Sequence, residues 1–386
     1  AGWATWHPHN YLSWISLPDS SQISLILCQL STQLCLTVCY GPDDRGCTLR
    51  PSLHAVDRSY AEYSVNAFSA PVGLNVSVRW SGGADHLRAT VSPVDCVTKT
   101  SANNCSDFAV VLATDFAWSR AGSTSVACET DACSLMLQPH GLKPHNVNAL
   151  FSGGSIVNVS GFQENPPKTR PLPAPGTGMA VRLASKSSAL VLSTISETAQ
   201  QTKTALDSAR AAELRRLAAY GDNADNAGAI RAAVMWNSIW LPAEQGPMLP
   251  VDRSWDLSKG PSSQDWKYTD FQWDNHFASL MMALHDNSTI ARDLAICNFI
   301  QTVRSTKTAE GFGSNYGAAG SHSVDRTEPP QAARVLATLY ERYNASYSDS
   351  SGPGLNWLVE LVLQDLLDWH RWFLRARVLP TMALPS

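Results

Sequence analysis

The spacing of apolar residues changes once along this chain, and that change limits the fold more than any other feature. From Leu12 to about Ser196, apolar and polar residues alternate with period two, as in Leu74 to Trp80, Leu87 to Val91, Phe108 to Ala113, Ser134 to Leu137 and Met179 to Leu183. Period two puts successive side chains on opposite faces of a strand, so each run has one face for a core. Clusters of Gly, Pro, Ser and Asn separate the runs, which predicts a large antiparallel β-sandwich over residues 1–195. Ser196 to Tyr220 is rich in Ala, Lys, Glu and Arg and is followed by Gly221, the residue type that ends helices in a left-handed conformation. This segment, 196–221, reads as a linker helix.

Beyond it the spacing is helical. Ala227 to Trp240 forms one helix, Phe277, Leu280, Met281 and Leu284 mark a second, and Ile290 to Arg304 a third. Pro329 and Pro330 open a fourth, through Tyr343, in its first turn. Leu355 to Phe373 is a fifth, apolar around most of its circumference and so expected to be covered on two sides. The joining stretches Leu241 to Gln272 and Ser305 to Glu328 are longer than packing requires, and loops of that length usually carry function.

Hydrophobic residues at 44% against 16% charged exclude a disordered polyampholyte. With 29 Lys and Arg against 33 Asp and Glu, the net charge of −4 supplies no cationic field to collect nucleic acid or an anionic membrane. The most apolar run, Ile23 to Tyr40, is broken by Gln29, Ser31, Thr32 and Gln33, so no membrane span is expected.

Eight of the nine Cys lie before residue 134. Cys96 and Cys105 bracket a polar loop, and Cys128 and Cys133 bracket Glu129 to Ala132, spacings that suit short disulfide-closed loops. Pairing among Cys28, Cys35, Cys39 and Cys47 stays open. Sequons stand at Asn75, Asn104, Asn158, Asn287 and Asn344. Together these favour a secreted or luminal glycoprotein. The chain opens Ala1-Gly2-Trp3 without Met or signal peptide, which suggests processing or a fragment.

The densest chemistry is Phe271-Gln272-Trp273-Asp274-Asn275-His276-Phe277, at the mouth of the second helix. A ring can stack on a pyranose face while a carboxylate accepts from its hydroxyls. The same residues also suit an N-cap Asp beside core aromatics. A second cluster, Val324-Asp325-Arg326-Thr327-Glu328-Pro329-Pro330, fixes two acids and an Arg before a helix, either to bind or to close an ion-pair network. Trp240 and Trp255 add aromatics to the same face, whereas Trp236 suits the core. The glycines of Gly311 to Gly317 follow a helix and have no Lys, so they do not read as a phosphate cradle. No Gly-x-Ser-x-Gly or His-Glu-x-x-His motif occurs, and His7-Pro8-His9 offers too few ligands for a metal. No metal or other cofactor is expected.

Five motifs in order resemble glycoside hydrolase family 63: Trp236-Asn237-x-Ile239-Trp240; Arg253-Ser254-Trp255; Phe271-x-Trp273-Asp274-x-x-Phe277-x-x-Leu280-Met281; Gly311-Phe312-x-x-Asn315; and Asp325-Arg326-Thr327-Glu328-Pro329-Pro330. That family includes processing α-glucosidases of N-glycans and mannosylglycerate-hydrolase-like domains. Residues 1–220 match it in architecture more than in motif.

The resemblance implies a super-β-sandwich followed by an (α/α)6 toroid of six hairpins, the six-hairpin glycosidase type. It implies exo-acting hydrolysis of α-linked oligosaccharides by inversion. Trp273 and Asp274 would line the subsite for the non-reducing sugar, with Phe271 and the Asp325-Arg326 loop at its border. Inversion needs an acid and a base roughly 6.5–9.5 Å apart. In the family these lie in a Glu-Ser-Gly-x-Asp type segment beyond the helix matching Leu355 to Phe373, and later still; neither segment occurs here. The pattern fades at Trp369-His370-Arg371-Trp372, and 374–386 reads as a non-homologous tail. Residues 222–386 are therefore expected to form an incomplete toroid with negligible hydrolysis and no assigned catalytic residue. The rival functions are a non-catalytic carbohydrate-binding protein and a helical scaffold for protein partners.

Overall fold

The computed structural model describes residues 2–7, 12–36, 47–68, 73–97, 105–118, 120–165, 178–241, 246–253, 255, 268–285, 288–318, 321–347 and 354–377. His9, Cys39, the sequons at Asn104 and Asn287, and residues 378–386 of the expected tail lie outside them. The chain divides into two compact units, Ala1–Trp236 and Asn237–Ser386.

The first unit holds two eight-stranded, largely antiparallel sheets. One runs in the order Trp3–Ala4, Ser13–Ser16, Ser21–Gln29, Phe108–Phe116, Gly178–Leu183, Gly154–Ile156, with Leu34–Leu36 added to Ser21–Gln29 and Gln163–Asn165 parallel to Leu34–Leu36. The other runs Gly122–Cys128, Ala132–Pro139, His145–Ser152, Ala189–Ser193, Leu87–Val97, Gly73–Gly82, Ala61–Ala67, Cys47–His54. Ala61–Ala67 alternates buried and half-buried residues, the mark of a strand with one core face. Ser21–Gln29 is buried throughout, lying between two strand partners, with its Gln22 and Ser24 side chains bonded to Ser13. Trp3, Trp14 and Trp80 are fully buried, so the early tryptophans belong to the core.

Disulfides fasten neighbouring strands. Cys28–Cys35 and Cys128–Cys133 join directly opposed positions of hairpins, and Cys96–Cys105 ties the end of one strand to the approach of the next. Cys47 is also disulfide-bonded. Such pairs suit an oxidising compartment. Cys297 is the free cysteine among the described residues, half-buried, and burial pushes its thiol pKa up. No helix among them is long and apolar enough to cross a membrane.

Helix α1, Ala199–Ala218, begins at a capping box in which the Gln201 N–H donates to the Thr198 hydroxyl at 3.2 Å and the Thr198 N–H to the Gln201 side chain at 2.8 Å. Its face Leu206 and Leu217 packs with Leu53, Ala55, Tyr60 and Ala227. Helix α2, Ala224–Trp236, is locked to it by a buried ion pair, Arg231 to Glu213 at 2.9 Å. Trp236 lies 4.7 Å from the Tyr63 ring, inside the first unit. Sequence spacing carries this helix to Trp240, but it stops at Trp236. Beyond it, Asn237 donates to the Val251 carbonyl and Arg253 to the Ser238 carbonyl, and Ile239–Leu241 pairs instead with Gly246–Met248.

The second unit contains α3 (Gln272–His285), α4 (Thr289–Thr306), α5 (Ala332–Tyr347) and α6 (Asn356–Ala376). Buried Asn298 of α4 donates to the Asn275 carbonyl and the Ser279 hydroxyl of α3, and accepts from the Leu249 N–H. The two prolines lie before α5, not in its first turn: Val335 N–H donates to the Gln331 carbonyl, and Pro330 disfavours helical geometry at Pro329. Helix α6 buries only the stripe Leu358, Val362 and Trp369, leaving Leu361, Leu363 and Leu367 exposed. The two-sided cover expected for it is absent among the described residues.

Candidate functional site

The long segment between α4 and α5 is ordered by a small sheet. Thr269–Phe271 pairs with Tyr316–Ala318, which pairs with Ser321–His322, and Phe271 lies directly opposite Tyr316. Three-residue strands leave no periodic trace in a sequence, so this sheet was not legible there. It fixes the entry to α3 against the segment that carries Asp325 to Glu328.

Further bonds hold that segment. Asn315 N–H donates to the Arg326 carbonyl at 3.0 Å, Ser323 N–H to the Tyr316 carbonyl at 3.1 Å, and the Thr327 hydroxyl to the Gly313 carbonyl. The Trp369 indole of α6 donates to the same Thr327 hydroxyl at 3.1 Å. The nearby glycines serve close packing: a Cβ at Gly317 would lie 2.5 Å from Asp270 Oδ1, and one at Gly313 2.7 Å from Gln272 Nε2.

Glu328 is thereby brought onto the N-terminus of α3, where its carboxylate accepts the Trp273 N–H at 2.7 Å. A helix leaves its first amide donors without partners in the helix, and a carboxylate there satisfies one and meets the positive end of the dipole. The cap of this helix is thus a group 55 residues away. Asp274 stands in the first turn.

Burial raises the Asp274 pKa, against a hydrogen bond from the Trp273 side chain that lowers it. Burial pushes the Glu328 carboxyl up to about 7; the nearby Asp274 charge adds to the rise, while the Trp273 N–H and the Arg326 charge oppose it. Near neutral pH the Glu328 carboxyl is therefore shared between a carboxylate that accepts and a protonated form that can donate. That suits a ring of hydroxyls.

Aromatic rings stand beside it. Trp255 meets Phe271 edge-on at 5.1 Å, Tyr316 lies 6.3 Å from Phe271, and Trp273 is 5.7 Å from Phe277. Of the residues singled out from sequence, the structure gathers Phe271, Trp273 and Asp274 in one turn of chain. Asp325 and Arg326 pair with each other at 2.8 Å on the exposed part of the loop. Trp240 sits half-buried on the Ile239–Leu241 ribbon, opposite Pro247.

Glu328 is one of the two acids of the Val324 to Pro330 cluster, and its stiff Thr-Glu-Pro-Pro setting is the local signal for it. His276, within the same sequence cluster, is a core residue. It is fully buried, 5.3 Å from the Phe299 ring, and burial drives its pKa down to about 3. No group of His, Cys, Asp or Glu among the described residues could hold a metal ion.

No family model matches the chain, and no curated protein matches it. Among solved structures, it is similar to a bacterial glucoamylase complexed with acarbose, at 11% identity and a TM-score of 0.32. The match takes in 96% of this chain, which spans 65% of the length of that glucoamylase.

Proposed function

We propose that the unit Asn237–Ser386 binds the non-reducing end of an α-linked glucoside or related oligosaccharide, as the substrate-binding part of a family 63-like, inverting glycoside hydrolase. One observation carries this reading: Asp274 and the part-protonated Glu328 carboxyl meet at the α3 N-terminus beside Trp273 and Phe271. In this reading α3 with α4 and α5 with α6 are hairpins of an (α/α)6 toroid. Asp274 accepts from sugar hydroxyls, Trp273 and Phe271 offer ring faces, and the Asp325-Arg326 loop borders the pocket.

Both carboxyls are assigned to binding. The Trp273 N–H bonds Glu328 and the Asp274 charge raises the Glu328 pKa, which makes the two carboxyls adjoining groups, whereas inversion places an acid and a base on two sides of the scissile bond. Turnover by this chain is therefore expected to be negligible, which is also the prediction of the alternative, a non-catalytic carbohydrate-binding protein. Titration calorimetry with α-linked glucose disaccharides should show saturable binding, at least tenfold weaker in Asp274→Ala, since a charge-assisted hydrogen bond is worth about 1.5–3 kcal/mol. No binding by the wild-type chain would sink the proposal. Glucose release abolished by Asp274→Asn would instead move Asp274 from binding to catalysis.

A further inference from the structure

Five sequons occur, and the fold treats the three that lie among the described residues very differently. Asn75 sits within the strand Gly73–Gly82, between neighbours on both sides, and its Oδ1 is buried. Asn344 lies in α5, where its Oδ1 accepts the Leu355 N–H at 2.8 Å and fastens the start of α6. Both side chains are half-buried, so a glycan on either nitrogen has less room than on an exposed asparagine.

Asn158 stands apart. It lies in the turn between Gly154–Ile156 and Gln163–Asn165 and is exposed, as is Ser160. The middle residue of the triplet, Val159, is 5% exposed and packs with Ile26, Cys28, Cys35 and Val111. Burying Val159 anchors the turn and holds Asn158 and Ser160 to solvent. The Asn158 Oδ1 accepts from both the Ser160 N–H at 2.9 Å and the Ser160 hydroxyl at 2.6 Å. With Oδ1 held by Ser160, the folded turn has room in solvent for a glycan carried on Nδ2.

We propose that Asn158 is a glycosylation site of this chain and that Asn75 and Asn344 are not occupied in its folded form. The reaction is transfer from a polyisoprenyl-pyrophosphate oligosaccharide. The bond from sugar C1 to the pyrophosphate oxygen breaks, a bond from C1 to Asn158 Nδ2 forms, one amide proton leaves to a base, and polyisoprenyl pyrophosphate departs. Transfer precedes folding, so the fold acts as a filter: a chain modified at Asn158 folds with the glycan in solvent, and one modified at Asn75 does not. The proposal is independent of the sugar-binding reading, since the turn lies in the other unit.

The test is expression of the chain behind a secretory leader in a eukaryotic cell. Peptide N-glycosidase in ¹⁸O water then marks each occupied Asn as labelled Asp, read by mass spectrometry in cell-associated and secreted material. The Asn158 peptide should carry the label. Asn158→Gln and Ser160→Ala should each lose one glycan step in gel mobility, while Ser160→Thr keeps it. Asn75→Gln and Asn344→Gln should leave the mobility of secreted chain unchanged. An unlabelled Asn158 in both fractions overturns the assignment, and labelled Asn75 or Asn344 in secreted chain overturns the filter.

Discussion

Glu328 is half-buried, caps a helix through a distant contact, and sits beside a second carboxyl. Its pKa rises from 4.5 unfolded to about 7 folded, so between those values the folded chain holds more of this proton than the unfolded one. Stability from this group is therefore fully present below about pH 4.5 and is lost as pH rises through about 7. Glu328→Gln keeps an oxygen for the Trp273 N–H and removes the titration. Relative to wild type, it should stabilise at pH 8 by on the order of 1 kcal/mol, discounted for partial exposure, and do nothing at pH 4. Denaturant unfolding of both proteins from pH 4 to 8 measures this; a difference that does not vary with pH would refute the assigned proton. In the same variant, sugar binding should lose its pH dependence near 7.

Among the elements, the joint between α1 and α2 is the most exposed to single changes. Arg231 and Glu213 are 3% and 0% exposed, so Glu213→Ala strands a guanidinium away from water and should cost about 3–5 kcal/mol, read by equilibrium unfolding. Replacing both with Met should recover most of that loss. Trp369 of α6 makes a similar link in the other unit. Trp369→Phe keeps the packing but drops the bond to the Thr327 hydroxyl, at about 1 kcal/mol, and should weaken disaccharide binding although Trp369 is assigned no contact with the sugar. Unchanged affinity in that variant would show that the Asp325 to Glu328 loop is held in place without it.

These elements also show where sequence reading reaches its end. Alternation over Leu74 to Trp80 and the Gly221 stop of the helix read over Ser196 to Tyr220 were legible because burial of one face and helix-ending glycine geometry are written locally. The stop of α2 at Trp236 was not, since it depends on Asn237 and Arg253 finding carbonyls in a returning chain. In the site, Phe271, Trp273 and Asp274 could be picked out by their density. The Glu328 cap could not, because a contact 55 residues long leaves no period in either segment.

At the scale of the whole molecule, α6 keeps much of its apolar surface in water. Between α5 and α6 runs a groove of about 720 Å³, lined by Ala333, Leu336, Ala337, Val359, Leu363 and Leu367. On α6, Leu363, Leu367 and Leu374 share one face and are 45%, 38% and 55% exposed, a run of apolar surface that a stable monomer rarely leaves bare. Burying such side chains is worth about 1.5–3 kcal/mol each, so contact between copies is driven even without a shaped interface. The purified chain should accordingly self-associate as concentration rises, with sedimentation velocity showing species above the monomer. Leu363→Glu with Leu367→Lys places charge on the exposed stripe while leaving the buried stripe Leu358, Val362 and Trp369 intact, and should shift the distribution toward monomer with little change in unfolding midpoint. If the wild-type chain is monodisperse across the same range and melts cooperatively, the exposed leucines of α6 are harmless in solution and this account of them is wrong.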